Sequence, residues 1–405
     1  MEYVKDNDVP KLEVKDNDVP NEKKRSSPNR LTCPEGVYIS RCFGDSQYKA
    51  YLPQALPIKN INISKLNFLL DKANVALGKL DGVCSILPNL NLFLYMYVKK
   101  EAVLSSQIEG TQSSLSDLLL FESGSPIPET IDDVVEVSNY VKAINYALKR
   151  MEELPLSLRL IKEIHKILLK NSRGNNKNPG EFRKSQNWIG GSSPSNAIYV
   201  PPPQEYLMEY LDNFERFLYD NTYPKLIKIA MCHAQFETIH PFLDGNGRMG
   251  RLLITLLLCQ EKIINKPIVY LSLFFKENRE LYYNLLQGVR KGKDWESWIV
   301  FFLDGINQIC DDAINVTNDI FALFERDQKR IYQAHLSINL LSVFDALKIE
   351  PIVSANRISE MTFLQTKTAL RMLKFLEKVG IVKEVTGHQR NMRFAYTEYL
   401  DILGV

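Results

Sequence analysis

The chain lacks any paired-cysteine pattern. Its six cysteines, Cys33, Cys42, Cys84, Cys232, Cys259 and Cys310, are scattered, and no CxxC occurs. A disulfide framework or a structural zinc site is thereby set aside, and reduced, mostly buried thiols are expected. HExxH and GxxxxGK[ST] are also missing, which removes zinc-protease and P-loop chemistry from consideration. Long apolar runs are absent: Leu252–Cys259, broken only by Thr255, is far shorter than the ~20 residues of a membrane span. The start, Met1-Glu2-Tyr3-Val4-Lys5-Asp6, has no apolar stretch of the secretory type. A cytoplasmic protein without membrane contact is the expectation. Charge of one sign is lacking too, with a formal net of +2 over 405 residues, so bulk electrostatics neither demand nor forbid nucleic acid. The 45% hydrophobic and 24% charged shares are ordinary for a globular chain, and the length suits roughly two to four domains.

What is present concentrates in one dozen residues, His240-Pro-Phe-Leu-Asp244-Gly245-Asn246-Gly247-Arg248-Met-Gly-Arg251. A helix-like apolar run, Leu226 to Ile239, precedes them, and the greasy run from Leu252 follows. Helix, glycine-bearing loop and buried helix make an anion site: the second helix begins with unpaired N–H groups and the positive end of its dipole. Gly245 and Gly247 let the backbone turn with φ > 0 and aim amides at a phosphate. Arg248 and Arg251 share a helix face and can hold two phosphates of one polyphosphate. Asp244 is the loop's only carboxylate, a hard oxygen ligand of the kind nucleotide-bound magnesium needs. His240 is left as a general base.

This string resembles the signature of the Fic family (filamentation induced by cAMP): His-Pro-Phe, two variable residues, Gly-Asn-Gly-Arg, two more and Arg. The resemblance implies a mainly α-helical fold and protein adenylylation from Mg-ATP. His240 would deprotonate a Tyr, Thr or Ser hydroxyl, and Asp244 would hold Mg²⁺. Asn246 and the loop amides of Gly245 and Gly247 would steady the α-phosphate, with Arg248 and Arg251 on the β- and γ-phosphates. Removal of AMP by the same family, and a nucleotide-responsive transcriptional regulator, stand as alternatives.

Upstream lies Ser105-Ser-Gln-Ile-Glu109-Gly110. Ser105 and Glu109 are four apart, hence on one helix face, and Gly110 suits a helix end. The resemblance implies an inhibitory helix here, with Glu109 taking the Arg251 guanidinium away from the γ-phosphate.

Along the chain, residues 1–35 are expected to be a solvated tail carrying the repeat Val4–Pro10 and Val14–Pro20. Residues 36–130 are expected to be a helical region, 131–310 a catalytic core and 311–335 a charged connecting helix. Between Asn171 and Gln204, rich in Gly, Pro, Ser and Asn, two strand-like pieces flank Gly190-Gly191 and predict a β-hairpin. The family resemblance makes this a flap that captures the target backbone, with Asn187, Trp188, Ile189, Gly190, Ala197, Ile198, Tyr199 and Val200 as docking residues. Residues 336–405 read as three helices and a two-stranded ribbon, the outline of a winged helix-turn-helix. Lys367, Arg371 and Lys374 recur on one face of its third helix, and Arg390 and Arg393 lie in or beside the ribbon turn. They are candidate DNA contacts, although bacterial winged helices also serve in dimerisation. Expected partners are therefore ATP, a target protein (the chain itself included), DNA through the C-terminal unit, and a second copy of the chain.

Overall fold

The structure is a computed structural model. It describes residues 36–403 apart from 60, 86–89, 123–130, 335–336 and 389–390. The repeat-bearing tail and Arg390 thus lie outside the described residues.

The fold is mainly α. The chain opens with β1 (Val37–Phe43) and β2 (Ser46–Leu52), then runs through α1 (Ile63–Ser85), α2 (Leu90–Ile108), α3 (Leu115–Glu122), α4 (Ile131–Arg150) and α5 (Leu158–Leu168). After an irregular segment come α6 (Leu207–Leu218), α7 (Lys225–Ile239), α8 (Asn246–Gln260), α9 (Ser272–Glu277), α10 (Arg279–Gly292) and α11 (Trp295–Ala334). The last part holds α12 (Ile338–Ile349), β3 (Ile352–Ser354), α13 (Ala355–Thr362), α14 (Thr366–Lys378), β4 (Lys383–Glu384), β5 (Arg393–Ala395) and α15 (Thr397–Ile402).

The centre of the core is α7. Leu226 through Ile239 are all buried, because α6, α8, α10 and α11 pack around the helix and leave it no solvent face. A helix apolar all round needs such enclosure. Lys228 inside it reaches Leu218 O (3.2 Å) and the Glu261 carboxylate. Trp298 of α11 donates to Ala230 O at 2.8 Å.

Three expectations change. The stretch from residue 36 is not helical at its start: β1 and β2 form an antiparallel hairpin, Val37 opposite Leu52 and Phe43 opposite Ser46. The reason is local, since Gly44 takes φ +57 in the tight connection and the flanking Tyr-rich residues favour extended backbone. The connecting helix is not separate either. It is the second half of α11, whose 40 residues run unbroken past 311, about 60 Å at 1.5 Å per residue. Finally, the hairpin between Asn171 and Gln204 reduces to one antiparallel bridge, Ile189 to Tyr199. A short 3₁₀ turn, Pro194–Asn196, lies in the intervening loop. Among the described residues no helix is long and apolar enough to cross a membrane. Cys84, Cys232 and Cys310 are free and buried as expected, whereas Cys42 on β1 is free and exposed.

The C-terminal part packs three helices, α12 to α14, with a three-stranded sheet in the order β3-β5-β4. The third strand, β3, was not foreseen. This part is fastened to the end of α11 by charge: buried Asp327 accepts from Tyr396 Oη (2.7 Å) and Arg330 (3.0 Å), and Arg326 pairs with Glu398 at 2.6 Å.

Candidate active site

The loop of the candidate site begins where α7 ends. His240 is the helix C-cap, in the left-handed region at φ 50, ψ 61, with its N–H on Phe236 O at 2.9 Å. Pro241 cannot donate to a continuing helix, so the turn stops there. A non-glycine residue in this region costs on the order of 1–3 kcal/mol, and the surroundings hold it in place. Arg183, buried, donates from Nε to His240 O at 3.0 Å, and its backbone N–H donates to Pro241 O at 2.9 Å. Asn187 donates from Nδ2 to Phe242 O (2.8 Å) and His240 O (3.3 Å). Asn246 closes the loop: its Nδ2 donates to Phe242 O (2.8 Å) and its Oδ1 accepts the Phe242 N–H (2.9 Å).

His165 supports the loop from α5. Its ring stacks on Phe242 at 3.6 Å and 5°. The Gly180 N–H donates to Nδ1 (2.9 Å), so Nε2 carries the proton it donates to Asp244 O (2.9 Å). Burial pushes its pKa down to about 4, and the ring is neutral at pH 7. The loop then turns at Gly245 (φ +74), and α8 begins at Asn246.

His240 is mostly buried. Its Nδ1 faces Glu237 O at 3.4 Å, so an Nδ1–H points there and Nε2 keeps its lone pair. Burial, then the nearby Arg290 and Arg183 charges, lower its pKa to about 3. At neutral pH it is an uncharged base.

Arg248 and Arg251 project from the first turns of α8, and both are buried. Arg251 donates from Nε to Ser105 Oγ, and from Nη2 to Ser105 O and Glu109 Oε1, each at 2.8 Å. Glu109 thus reaches Arg251 across 142 residues. Burial pushes the Glu109 carboxyl up, but Arg251, with Arg248 and His240 beyond it, outweighs this and holds the pKa below its ordinary value. Gly247 makes room, because a Cβ there would come within 2.1 Å of Glu109 Oε1. Arg248 is held by an acid that sequence reading missed: Nη1 lies 3.1 Å from Glu136 Oε2 on α4, and Glu136 is shared with Arg173 at 3.0 Å.

Asp244 keeps one oxygen occupied, Oδ1 accepting the Gly245 N–H at 2.7 Å. Oδ2 faces Gly174, whose Cα would carry a Cβ only 2.5 Å away. Among the described residues no group of three or more His, Cys, Asp or Glu could hold a metal. A single carboxylate suits Mg²⁺, which keeps waters and takes its other ligands from nucleotide phosphates.

The flap residues divide by direction. Asn187, Tyr199 and Val200 turn inward and are buried. Tyr199 donates from Oη to Thr238 O at 2.6 Å, and the Arg290 guanidinium lies 4.0 Å over its ring. Val200 O accepts from Tyr51 N–H of β2 at 2.9 Å. Gly190 and Ile198 are exposed, and Trp188, Ile189 and Ala197 are half-buried. Trp188 packs 6.1 Å from Phe43 of β1, so the unforeseen hairpin lies against this segment. Lys367, Arg371 and Lys374 are exposed on α14, far along the chain from this centre, and Arg393 is half-buried on β5.

The site thus combines a neutral base at a helix end, a glycine turn and two arginines on the next helix. Residues 155–258 match the Fic/DOC family and residues 68–149 match the Fic/DOC family N-terminal region. It is similar to the Protein adenylyltransferase Fic of Drosophila yakuba, 28% identical over 192 residues, 47% of this chain and 35% of that protein. The protein of the same name from Drosophila grimshawi is 29% identical over 192 residues, 47% of this chain and 36% of its own. The chain thus spans about a third of the length of these curated relatives. Among solved structures, it shares its fold with a Fic family protein from Desulfovibrio desulfuricans G20 (TM-score 0.54, 19% identity, 83% of this chain and 97% of that one). A Fic domain containing signaling protein from Bacteroides thetaiotaomicron VPI-5482 gives a TM-score of 0.50 at 17% identity, over 60% of this chain and 95% of its own.

Proposed function

We propose that the chain transfers AMP from ATP to a hydroxyl of a protein side chain, and that Glu109 restrains it. The observation that carries this reading is the 2.8 Å contact between Glu109 and Arg251, beside a neutral His240. It puts a carboxylate where an ATP phosphate would meet the guanidinium. Similarity to proteins named adenylyltransferase supports the same reaction.

In the active state Glu109 leaves and Arg251 and Arg248 meet the polyphosphate, with the N-terminal amides of α8 beside them. Asp244 would hold Mg²⁺, which when bound neutralises phosphate charge. His240 Nε2 takes the proton of the target hydroxyl. The oxygen then attacks the α-phosphorus, and pyrophosphate leaves. The protein's share is proton removal, positioning and charge stabilisation. In this reading the exposed Gly190 and Ile198 mark the side of the flap on which the target backbone would lie. Within this reading residues 131–310 form the catalytic core and 336–405 a winged unit.

Incubation of the Glu109→Gly protein with α-³²P-ATP and a cell lysate tests the proposal. Labelled protein bands that disappear with His240→Ala are expected, and no His240-dependent label would overturn it. A second reading, AMP removal, draws on the same placement of Glu109 in the site; release of AMP from a labelled target by the unaltered chain distinguishes it. DNA contact through Lys367, Arg371 and Lys374 draws on their exposure. ATP-dependent binding to duplex DNA would mark the regulator.

A further inference from the structure

Glu237 stands one turn before His240 on α7 and is buried. Its Oε2 lies 4.0 Å from His240 Nδ1. Its Oε1 is buried and, among the described residues, has no hydrogen-bond partner. Gly250 of α8 leaves space for it, since a Cβ there would come within 2.4 Å of Oε1. Burying a carboxylate without partners is costly, and an amide or apolar side chain of similar size would fill this place without that cost. The main-chain carbonyl of Glu237 already accepts from Arg290 Nη2 at 3.1 Å and faces His240 Nδ1. Its carboxylate therefore adds an acidic group to the carbonyl acceptor on the Nδ1 side of the ring.

That position matters because His240 must become a cation when it takes a proton, and Arg183 and Arg290 oppose a cation there. We propose that Glu237 is a positioning residue that holds the imidazole through Nδ1 and stabilises the imidazolium formed when Nε2 accepts the target proton. This rests on the AMP-transfer reading above. The balance is simple. The hydroxyl O–H bond breaks and its proton moves to Nε2; the new O–P bond forms as the P–O bond to pyrophosphate breaks. Glu237 itself gains no proton.

Burial holds the Glu237 carboxyl up at about 7, with Arg251 and Arg290 pulling it down and Glu109 pushing it up. The other groups around it keep one charge state near that pH. Arg251, Arg290 and Arg183 are cations, and Glu109, held low by Arg251, is an anion. Tyr282 and Tyr283 are raised and neutral, and His233, beside Gly250, is lowered by burial to about 3 and is neutral. Glu101 also lies at about 7 beside Arg251, so a transition at His240 reports Glu237 when it disappears with Glu237→Gln. Assistance to the base grows as pH rises through that value.

The test compares full-length protein with and without Glu237→Gln. Without ATP, the His240 ring nitrogen resonances are followed by NMR from pH 5 to 9. An inflection near pH 7 is expected in the parent and is lost in Glu237→Gln; the same inflection in both overturns the proposal. In the Glu109→Gly background, α-labelled ATP should show kcat at pH 8 falling at least about tenfold in Glu237→Gln, a part of the ~100- to 10,000-fold that general acid–base catalysis contributes in full. KM for ATP stays within about threefold and thermal stability is equal or higher, as expected when an unpaired buried charge is removed. Unchanged kcat, or a loss of rate matched by a fall in stability and a rise in KM, overturns it. The NMR arm needs no turnover. An absence of label in both proteins would defeat the AMP-transfer reading while leaving the electrostatic coupling measured.

Discussion

Replacing Glu109 with glycine should make the protein less stable and more active at once. Arg251 is nearly inaccessible, with 2% of its side chain exposed, whereas 38% of Glu109 is exposed. Three hydrogen bonds of 2.8 Å hold the guanidinium, two to Ser105 and one to Glu109. Glu109→Gly removes the only charged acceptor of the three. A hydrogen bond to a charged group contributes ~1.5–3 kcal/mol, and partial exposure of the carboxylate screens this to about 1–2 kcal/mol. The melting temperature should fall by about 1–3 °C. ATP should recover more than this, since its phosphates supply the missing negative charge: saturation at a hundredfold over Kd contributes ~2.7 kcal/mol. The rate should rise much further than stability falls, because correct placement of the phosphates is worth on the order of 100-fold. Thermal unfolding with and without ATP measures the first effect, and self- or lysate labelling from α-³²P-ATP measures the second. Glu109→Gln, which keeps the size and drops the charge, should fall between. Labelling that stays level or declines in Glu109→Gly while ATP still stabilises the protein would refute restraint by charge.

Three further outcomes are expected. His240→Ala abolishes labelling; His240→Asn does so as well with a smaller loss of stability, because Asn tolerates the left-handed backbone that Ala does not, and circular dichroism melts rank the two. Glu101, buried on α2 with Tyr140 Oη at 3.1 Å and Ser272 beside it, is pushed up to about 7 by burial against those contacts and Arg251. The folded state therefore binds its proton more tightly than the unfolded chain. Stability from this group falls as pH rises from about 4.5 to 7, so the melting temperature of Glu101→Gln relative to the parent should climb between pH 5 and pH 8. If Lys367, Arg371 and Lys374 meet phosphates, reversing all three charges lowers the slope of log K against log salt by about 3 in a duplex-DNA anisotropy assay; an unchanged slope removes them from that role.

Much of the site was legible from residues alone. The dozen residues from His240 to Arg251 are contiguous, and each chemical demand acts within a few bonds of the next: a turn that needs glycine, a helix start, a base after a helix end. Ser105 and Glu109 were legible for a related reason, since four residues of helix put them on one face and a glycine follows. The hairpin of β1 and β2 was not, because two short half-exposed strands carry little hydrophobic pattern. Glu136, Glu237, His165, Arg183 and the inward turn of Asn187 and Tyr199 were also missed. Each is a single polar residue, and its role comes from a partner distant in the chain or from burial.

By itself, then, the sequence determined the chemistry of the loop, the mainly helical fold and the spacing that lets Ser105 and Glu109 act together. Only the tertiary structure decided that Glu109 lies on Arg251, that Arg248 lies on Glu136, and that α7 is enclosed enough to leave His240 neutral. The physical reason is range. Backbone turns and helix faces are set by neighbours in the chain, whereas desolvation and the pairing of buried charges depend on what distant segments bring alongside.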